Sequence, residues 1–291
     1  MTALLRLARL DRPVGTLLLL WPTLAGVFLA SGGWPDPRLL AIFALGTIFM
    51  RSAGCVMNDI LDRHHDGLVE RTRDRPLPLG DISVHAAMLW FAVLAIGSLV
   101  LALMLKPMTL AVAAGGMLVA CIYPLMKRYT YLPQVVLGIA FSWGLLMAYV
   151  EVEDTLPRSA WVLFTASLLW IVAYDTWYAM VDRDDDLRAG IKSTAILFGT
   201  ADRLIIGVLQ GTALGALILF GLQTQAGLFY YLGVTGMAAT FLHQHRLGRR
   251  RDRRGCFHAF TNNVWTGFLF FAGVVLDAGL WPWVRTLVGL D

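Results

Sequence analysis

Four residues with carboxylate or amide side chains follow the second long apolar stretch of the chain: Asn58, Asp59, Asp62 and Asp66. If a helix continues through them, Asn58, Asp62 and Asp66 recur every four residues. They then drift only about 80° around the helix axis and share one face. Oxygen ligands on one face suit Mg²⁺, which usually takes one or two carboxylates and completes its shell with water and substrate phosphates. Because acids at the end of a membrane-length segment are costly unless they are needed there, the spacing predicts a metal-bridged phosphate site at a membrane surface.

A second acidic stretch follows a later apolar segment, at residues 174–199. The members with helical spacing are Asp175, Tyr178, Asp182 and Asp186. Their separations of three, four and four residues form one stripe on a helix. The basic residues nearby that can offset phosphate charge are Arg183, Arg188 and Lys192. Each stretch alone is equally well explained as a solvated loop of mixed charge. Two stripes in helical register favour one shared site that surrounds a diphosphate with more than one Mg²⁺.

The elements that must position these stretches are apolar helices. Of the 291 residues, 57% are hydrophobic and only 15% are charged, whereas a soluble domain is nearer half apolar and a quarter charged. The composition predicts an all-α integral membrane protein with one domain over residues 1–291. Apolar stretches of roughly spanning length fall at 14–31, 39–58, 84–105, 108–126, 131–150, 157–179, 204–222, 226–243 and 262–282. We therefore predict nine transmembrane helices.

The basic residues orient these spans. With the N-terminus inside, 19 of the 24 Lys and Arg residues fall in inner segments, four fall in outer segments, and Arg51 lies within a span. This asymmetry follows the positive-inside rule and predicts an outer C-terminus and two acidic stretches on the inner side. Residues 1–31 imitate a signal peptide, but Pro22 interrupts the apolar run, and we expect a span. The three cysteines lack the spacing of a zinc site or a disulfide framework.

Arg51 lies inside the second predicted span, seven residues before Asn58. Two helical turns take about 7.2 residues, so the two side chains share a face and lie about 10 Å apart along the axis. An arginine in a span costs roughly 2.5–3.5 kcal/mol on insertion scales and is rarely there without a partner. One interpretation is a structural ion pair with a buried acid. The other is recognition of a substrate carboxylate by the guanidinium fork.

Both acidic stretches resemble those of the membrane-embedded aromatic prenyltransferase family of ubiquinone biosynthesis. The first matches the NDxxDxxxD motif of that family, and the second matches the string YDTxYAMVDRDDD, which ends at Asp186. The matching flanks are Arg12-Pro13-Val-Gly15, Arg75-Pro76-Leu-Pro78, Gly190-Ile-Lys192-Ser-Thr194 and Asn262-Asn263. The resemblance covers nearly the whole chain, and neither acidic motif departs from the pattern.

The resemblance implies nine helices around a central cavity in the bacterial inner membrane, with the active site toward the cytoplasm. It implies transfer of a polyprenyl group from polyprenyl diphosphate to the ring carbon ortho to the hydroxyl of 4-hydroxybenzoate. The implied catalytic residues and Mg²⁺ ligands are Asp62, Asp66, Asp182 and Asp186, with Asn58 binding metal directly or through water. The residues implied at the diphosphate are Tyr123, Lys127, Arg128, Asp175, Tyr178 and Lys192. Those expected at the acceptor are Arg51 and Asn58.

Several alternatives remain open at this stage. Tyr123 and Lys127 also fit an interfacial tyrosine and a positive-inside anchor. The acceptor can instead be a naphthoate, a homogentisate or a haem, although haem-directed relatives are not expected to carry the second string. The same metal site can serve a carrier or flippase for polyprenyl diphosphates, and intramembrane acids also mark ion pathways. Beyond the two substrates and the lipid bilayer, we expect no nucleic-acid partner and no obligate protein partner.

Overall fold

The computed structural model describes residues 2–66 and 74–287, and this part of the chain consists of helices and turns without a strand. The helices are α1 (Thr2–Leu7), α2 (Val14–Ser31), α3 (Pro37–Asp66), α4 (Val84–Ala102), α5 (Pro107–Tyr129), α6 (Pro133–Glu153), α7 (Arg158–Ala189), α8 (Thr194–Phe198), α9 (Asp202–Thr224), α10 (Leu228–Leu247), α11 (Arg253–Thr261) and α12 (Asn263–Leu287). Single 3₁₀ turns at Gly199–Ala201 and Gly248–Arg250 precede α9 and follow α10. The predicted all-α class is confirmed.

Nine of the described helices have 18 residues or more, and each coincides with one predicted apolar stretch. By length and apolarity, eight segments of the described chain can cross a membrane. The long helix that is not among them is α10, because its last turns carry His243, Gln244 and His245. The multi-pass architecture is thus confirmed, whereas the ninth span and the orientation of the termini stay predictions.

The two helices that carry the acidic stretches are the longest of those described. α3 has 30 residues and α7 has 32, so each continues past its apolar segment, as predicted. At 1.5 Å per residue α7 is about 48 Å long, against about 30 Å for the hydrocarbon core of a bilayer. It stops at Gly190, which has a φ of 67°, a left-handed conformation that glycine adopts without steric cost.

Six long helices enclose the main hydrophobic core. α2 packs on α6 and α12, α7 packs on α6 and α9, and α10 packs on α9 and α12. The buried aromatic residues between them include Trp170, Tyr174, Phe220, Tyr230 and Phe241. The other half of the bundle, formed by α3, α4 and α5, is packed less tightly. α3 packs on α2 and α4, and α5 packs on α6. Thr109 is the one residue of α5 that is buried. Both acidic stretches lie where the two halves meet.

A buried carboxylate fixes α7 against α9. Asp202 is fully buried and accepts hydrogen bonds from Arg183 Nη2 at 2.6 Å and Arg251 Nε at 2.9 Å. Arg183 follows Asp182 directly, and successive helical residues point about 100° apart, so the ion pair holds one face of α7 while Asp182 occupies another. The prediction that Arg183 offsets phosphate charge is wrong, because its guanidinium binds Asp202.

We expect Asp202→Ala to lower the melting temperature of the purified protein substantially. Removing one partner of a buried ion pair typically costs about 3–5 kcal/mol, because a charge is left without its partner. The matched control is Asp81→Ala, which removes an exposed ion pair with Arg6 of the kind worth about 0–1 kcal/mol. Equal shifts in thermal unfolding of the two variants would contradict a structural role for Asp202.

Candidate active site

A cavity of about 1850 Å³ lies between α2, α3, α4, α5, α6 and α7. Pockets for a single small ligand usually measure about 300–1,000 Å³, so the cavity has room for more than one molecule. Its lining runs along α3 from Ile42 to Asp62, a distance of about 30 Å at the helical rise. The Asp62 end is rich in charged residues, whereas the lining contributed by α4 and the first half of α5 is largely apolar.

Residues from both acidic stretches line this cavity. The predicted site residues found in its wall are Arg51, Asn58, Asp62, Tyr123, Lys127, Arg128, Asp175, Tyr178, Asp182, Asp186 and Lys192. Asp66 is the last residue of α3, and its side chain lies outside the described part of the structure. Side chains from α3, α5, α7 and the turn after α7 therefore converge on one space.

Two lysines lie beside the acids. Lys127 Nζ donates a hydrogen bond to Asp62 Oδ2 at 2.6 Å. The Lys192 N–H donates to the Lys127 carbonyl at 3.0 Å, and Lys192 Nζ donates to the Tyr129 carbonyl at 3.3 Å. These bonds join the end of α5 to the segment after the second acidic stretch, so an anion that enters the cavity meets positive charge from both.

Asp59 lines the same cavity, but its carboxylate is held by ion pairs within the protein. Its side chain is 1% exposed. Arg9 Nη2 lies 2.9 Å from both of its carboxylate oxygens, and Arg75 Nη1 donates to Oδ1 at 3.0 Å. Arg9 precedes α2 and Arg75 follows the first acidic stretch, so Asp59 joins segments on both sides of α3. In the sequence, both arginines were counted among the basic residues that orient the spans. No local sequence pattern indicates that they pair with Asp59.

Arg51 lies in the wall between the acidic and apolar parts of the cavity. None of the ion pairs between described residues includes Arg51. Its Nε is buried and has no hydrogen-bond partner in the described part of the chain, and its guanidinium carbon lies 5.5 Å from the centre of the Phe141 ring. An unsatisfied buried donor costs about 1–3 kcal/mol. No acid among the described side chains thus lies within ion-pair distance of Arg51, and the guanidinium remains able to bind a ligand.

α11 adds residues to the site that the sequence analysis missed. Phe257, Phe260 and Thr261 line the cavity, and the ring centres of Phe260 and Tyr178 are 4.6 Å apart. Arg253 pairs with Asp185 of the second acidic stretch at 3.0 Å. In the sequence, the start of α11 belongs to a basic loop. The packing of α11 on α7 places it at the site, and this packing cannot be inferred from local sequence.

The oxygen ligands in the cavity suit a hard divalent cation. Asn58, Asp62, Asp182 and Asp186 offer carboxylate and amide oxygens, which Mg²⁺ prefers. Among the described side chains, no three acidic, histidine or cysteine groups lie close enough to hold a metal ion by themselves. Since Mg²⁺ usually takes one or two carboxylates together with phosphate oxygens, these residues fit a metal held jointly with a phosphorylated ligand.

A family model described as the UbiA prenyltransferase family matches residues 19–284. The chain belongs to this family. Relatives named 4-hydroxybenzoate octaprenyltransferase include one from Chromohalobacter salexigens, 52% identical over 278 residues that cover 96% of this chain and 93% of the relative. A relative of the same name from Pseudomonas aeruginosa is 54% identical over 275 residues, 94% of this chain and 93% of the relative. The family resemblance drawn from the motifs is confirmed.

Solved structures of UbiA homologs share the fold. The apo structure from Aeropyrum pernix K1 has a TM-score of 0.81 and 22% identity, and the match covers 91% of this chain and 98% of that chain. A homolog from Archaeoglobus fulgidus, bound to GPP and Mg²⁺, has a TM-score of 0.70 and 18% identity, with coverage of 94% and 99%. The helical arrangement described above is therefore that of the UbiA fold.

We expect Asp59→Asn to destabilise the protein more than Asp62→Asn. Asp59 bonds two guanidinium groups in a buried site, and each hydrogen bond to a charged group contributes about 1.5–3 kcal/mol, whereas among the described residues Asp62 has one partner, Lys127. Thermal unfolding of both variants in detergent measures the difference. If position 59 instead supplied a metal ligand, Asp59→Asn would lose activity at an unchanged melting temperature.

Proposed function

We propose that this protein transfers a polyprenyl group from polyprenyl diphosphate to the ring carbon ortho to the hydroxyl of 4-hydroxybenzoate, in ubiquinone biosynthesis. The observation that carries the proposal is the convergence on one cavity of two acidic stretches and of Arg51, which pairs with no acid among the described residues. Relatives more than half identical bear the name of such a transferase. The Archaeoglobus fulgidus homolog was solved with a prenyl diphosphate and Mg²⁺.

The acidic end of the cavity receives the diphosphate in this proposal. The residues that would hold Mg²⁺ are Asn58, Asp62, Asp66, Asp182 and Asp186. When bound, the metal supplies stabilisation of the negative charge that develops on the departing diphosphate. Lys127, Arg128 and Lys192 add positive charge around the phosphate oxygens. Tyr123 and Tyr178 provide hydroxyl donors beside them, and Asp175 lies next to this group in the same wall.

The acceptor lies between Arg51 and the acidic end. The guanidinium fork matches a carboxylate with two parallel hydrogen bonds, and 4-hydroxybenzoate carries its carboxylate para to its hydroxyl. Holding the carboxylate at Arg51 directs the hydroxyl end toward Asn58 and the diphosphate, about 10 Å along α3. As the C–O bond of the donor breaks, its electron pair leaves with the diphosphate. A ring electron pair then forms the new C–C bond, and loss of the ortho proton restores aromaticity.

The remaining wall protects the allylic cation. Water that reaches the cation converts it to a prenol, so the site must exclude water during the reaction. Phe141 and Phe260 line the cavity, and aromatic faces attract positive charge. The apolar lining supplied by residues such as Phe43, Leu99 and Met117 accepts the hydrocarbon chain of the donor.

We further propose that the protein lies in the bacterial inner membrane with the acidic end of the cavity toward the cytoplasm. The distribution of Lys and Arg supports this orientation, since inner segments carry most of the basic residues. The donor then enters with its chain in the bilayer and its diphosphate at the cytoplasmic surface.

The function is tested by incubating membranes that contain the protein with labelled 4-hydroxybenzoate, a polyprenyl diphosphate and Mg²⁺. Membranes from cells without the protein are the control. Prenylated 4-hydroxybenzoate is the expected product. Bound donor without any product would support a carrier instead. Product formed only from a naphthoate or homogentisate would contradict 4-hydroxybenzoate as the acceptor.

We expect Asp62→Asn, Asp66→Asn, Asp182→Asn and Asp186→Asn each to reduce turnover by orders of magnitude, since each keeps the side-chain shape but removes a charge needed at the metal. A chelator should abolish wild-type activity, and Mg²⁺ should restore it. Asp184→Asn is the matched control, because Asp184 belongs to the same stretch but is exposed and does not line the cavity. Near-normal rates in two or more of the four variants would contradict the two-stretch metal site.

We expect Arg51→Lys to raise the KM for 4-hydroxybenzoate about tenfold or more, because lysine keeps the charge but loses the paired hydrogen bonds. The KM for the donor should stay nearly unchanged. Steady-state kinetics with each substrate varied in turn measure both values. If Arg51→Lys and Arg51→Ala both keep a normal acceptor KM in folded protein, Arg51 does not bind the carboxylate.

A further inference from the structure

Gly15, near the start of α2, lies directly against the guanidinium of Arg51. A Cβ atom at position 15 would stand 2.5 Å from Nη2 and 2.8 Å from Nε of Arg51, closer than Cβ atoms approach other heavy atoms in proteins. Gly15 has an ordinary helical backbone, so the conformation itself permits any L-residue. The structure therefore explains glycine at this position by the space that Arg51 fills.

The guanidinium is confined between two helices. Gly15 of α2 lies on one side, and the ring of Phe141 on α6 lies 5.5 Å from the guanidinium carbon. Among the described residues, the Nε atom of Arg51 is buried and has no hydrogen-bond partner. Nη1 and Nη2 are not buried in this way. The terminal amino groups are thus the part of Arg51 that the cavity can reach.

We propose that Gly15 is a positioning residue for the acceptor: the absence of a side chain there sets where the guanidinium of Arg51 lies and so where the acceptor carboxylate binds. This inference rests on the proposed function, in which Arg51 binds the carboxylate of 4-hydroxybenzoate. Bidentate recognition depends on the alignment of two N–H groups with the carboxylate plane. A displacement on the order of 1 Å is enough to disturb a reacting geometry.

Gly15→Ala is a sharp test because the three atoms nearest to the added methyl group all belong to the end of a flexible side chain, that of Arg51. The variant is expected to fold and to act through the displacement of Arg51. The same helix offers a matched control in Gly26, where a Cβ would stand 2.5 Å from Cδ2 of Leu145. Gly26 does not line the cavity, so Gly26→Ala introduces an equally close contact away from Arg51.

Steady-state kinetics separate the two substrates. We expect Gly15→Ala to raise the KM for 4-hydroxybenzoate about tenfold or more, as loss of a hydrogen bond to a charged group does, while the KM for the donor stays within about twofold of the wild-type value. Gly26→Ala should leave both KM values unchanged, whatever its melting temperature. An unchanged acceptor KM in Gly15→Ala, or an equal rise in both KM values, would overturn the proposal.

A double variant tests whether Gly15 acts through Arg51. Residues that act through one group show strongly non-additive effects. Adding Gly15→Ala to Arg51→Lys should therefore raise the acceptor KM by less than about twofold beyond the Arg51→Lys value. Multiplied effects of the two substitutions would show that Gly15 acts independently and would overturn the proposal.

Chemical labelling decides the contact independently of catalysis. Phenylglyoxal modifies guanidinium groups, and mass spectrometry of the peptide that contains Arg51 gives the rate. We expect the labelling rate of Arg51 in Gly15→Ala to differ from that in the wild type and in Gly26→Ala, because the methyl group displaces the guanidinium from its position. Equal rates overturn the role of Gly15 even in an active enzyme. Failure of the wild type to prenylate 4-hydroxybenzoate refutes the proposed function instead, while the labelling rates still report on the contact.

Discussion

The pairing of buried carboxylates with distant cations is the interaction on which the rest of this structure depends. Asp59 binds Arg9 and Arg75, and Asp202 binds Arg183 and Arg251. A buried charge without a partner costs several kcal/mol, so neither carboxylate tolerates the loss of its arginines. Because the arginines come from other segments, each cluster also fixes where two parts of the chain meet. One cluster holds α3 at the cavity rim, and the other holds α7.

In each cluster an ion-paired residue directly follows a candidate ligand residue of the cavity wall. Asp59 follows Asn58, and Arg183 follows Asp182. Neighbouring helical residues point about 100° apart, so one side chain can be committed to the protein while the next faces a ligand. The ion pairs that fix α3 and α7 therefore lie in the same helical turns as the residues that face the cavity. Its accuracy depends on the rotation of α3 and α7 about their axes as much as on their place in the bundle.

The sequence was sufficient for the features that follow from local periodicity and composition. The apolar segments predicted the long helices, and the spacing from Asn58 to Asp62 and from Asp175 to Asp186 predicted which side chains would share a wall. Contacts between distant segments could not be predicted this way. Arg9 was interpreted only as a topology signal, because no residue near it in the sequence indicates that it pairs with Asp59. The packing of α11 on α7 is likewise a contact between distant segments that no local pattern indicates. α10 is less apolar than a membrane-spanning helix requires, because its polar last turns belong to the helix.

The hydrogen bond from the Lys192 N–H to the Lys127 carbonyl uses main-chain atoms only. The approach of the two basic segments is thus independent of the side chains that they carry. Exchange of either lysine for arginine, or for a neutral residue, leaves this bond in place, and among single replacements at position 192 only proline lacks the donor. The backbone that presents the charges at this end of the cavity is therefore held together independently of the charges themselves.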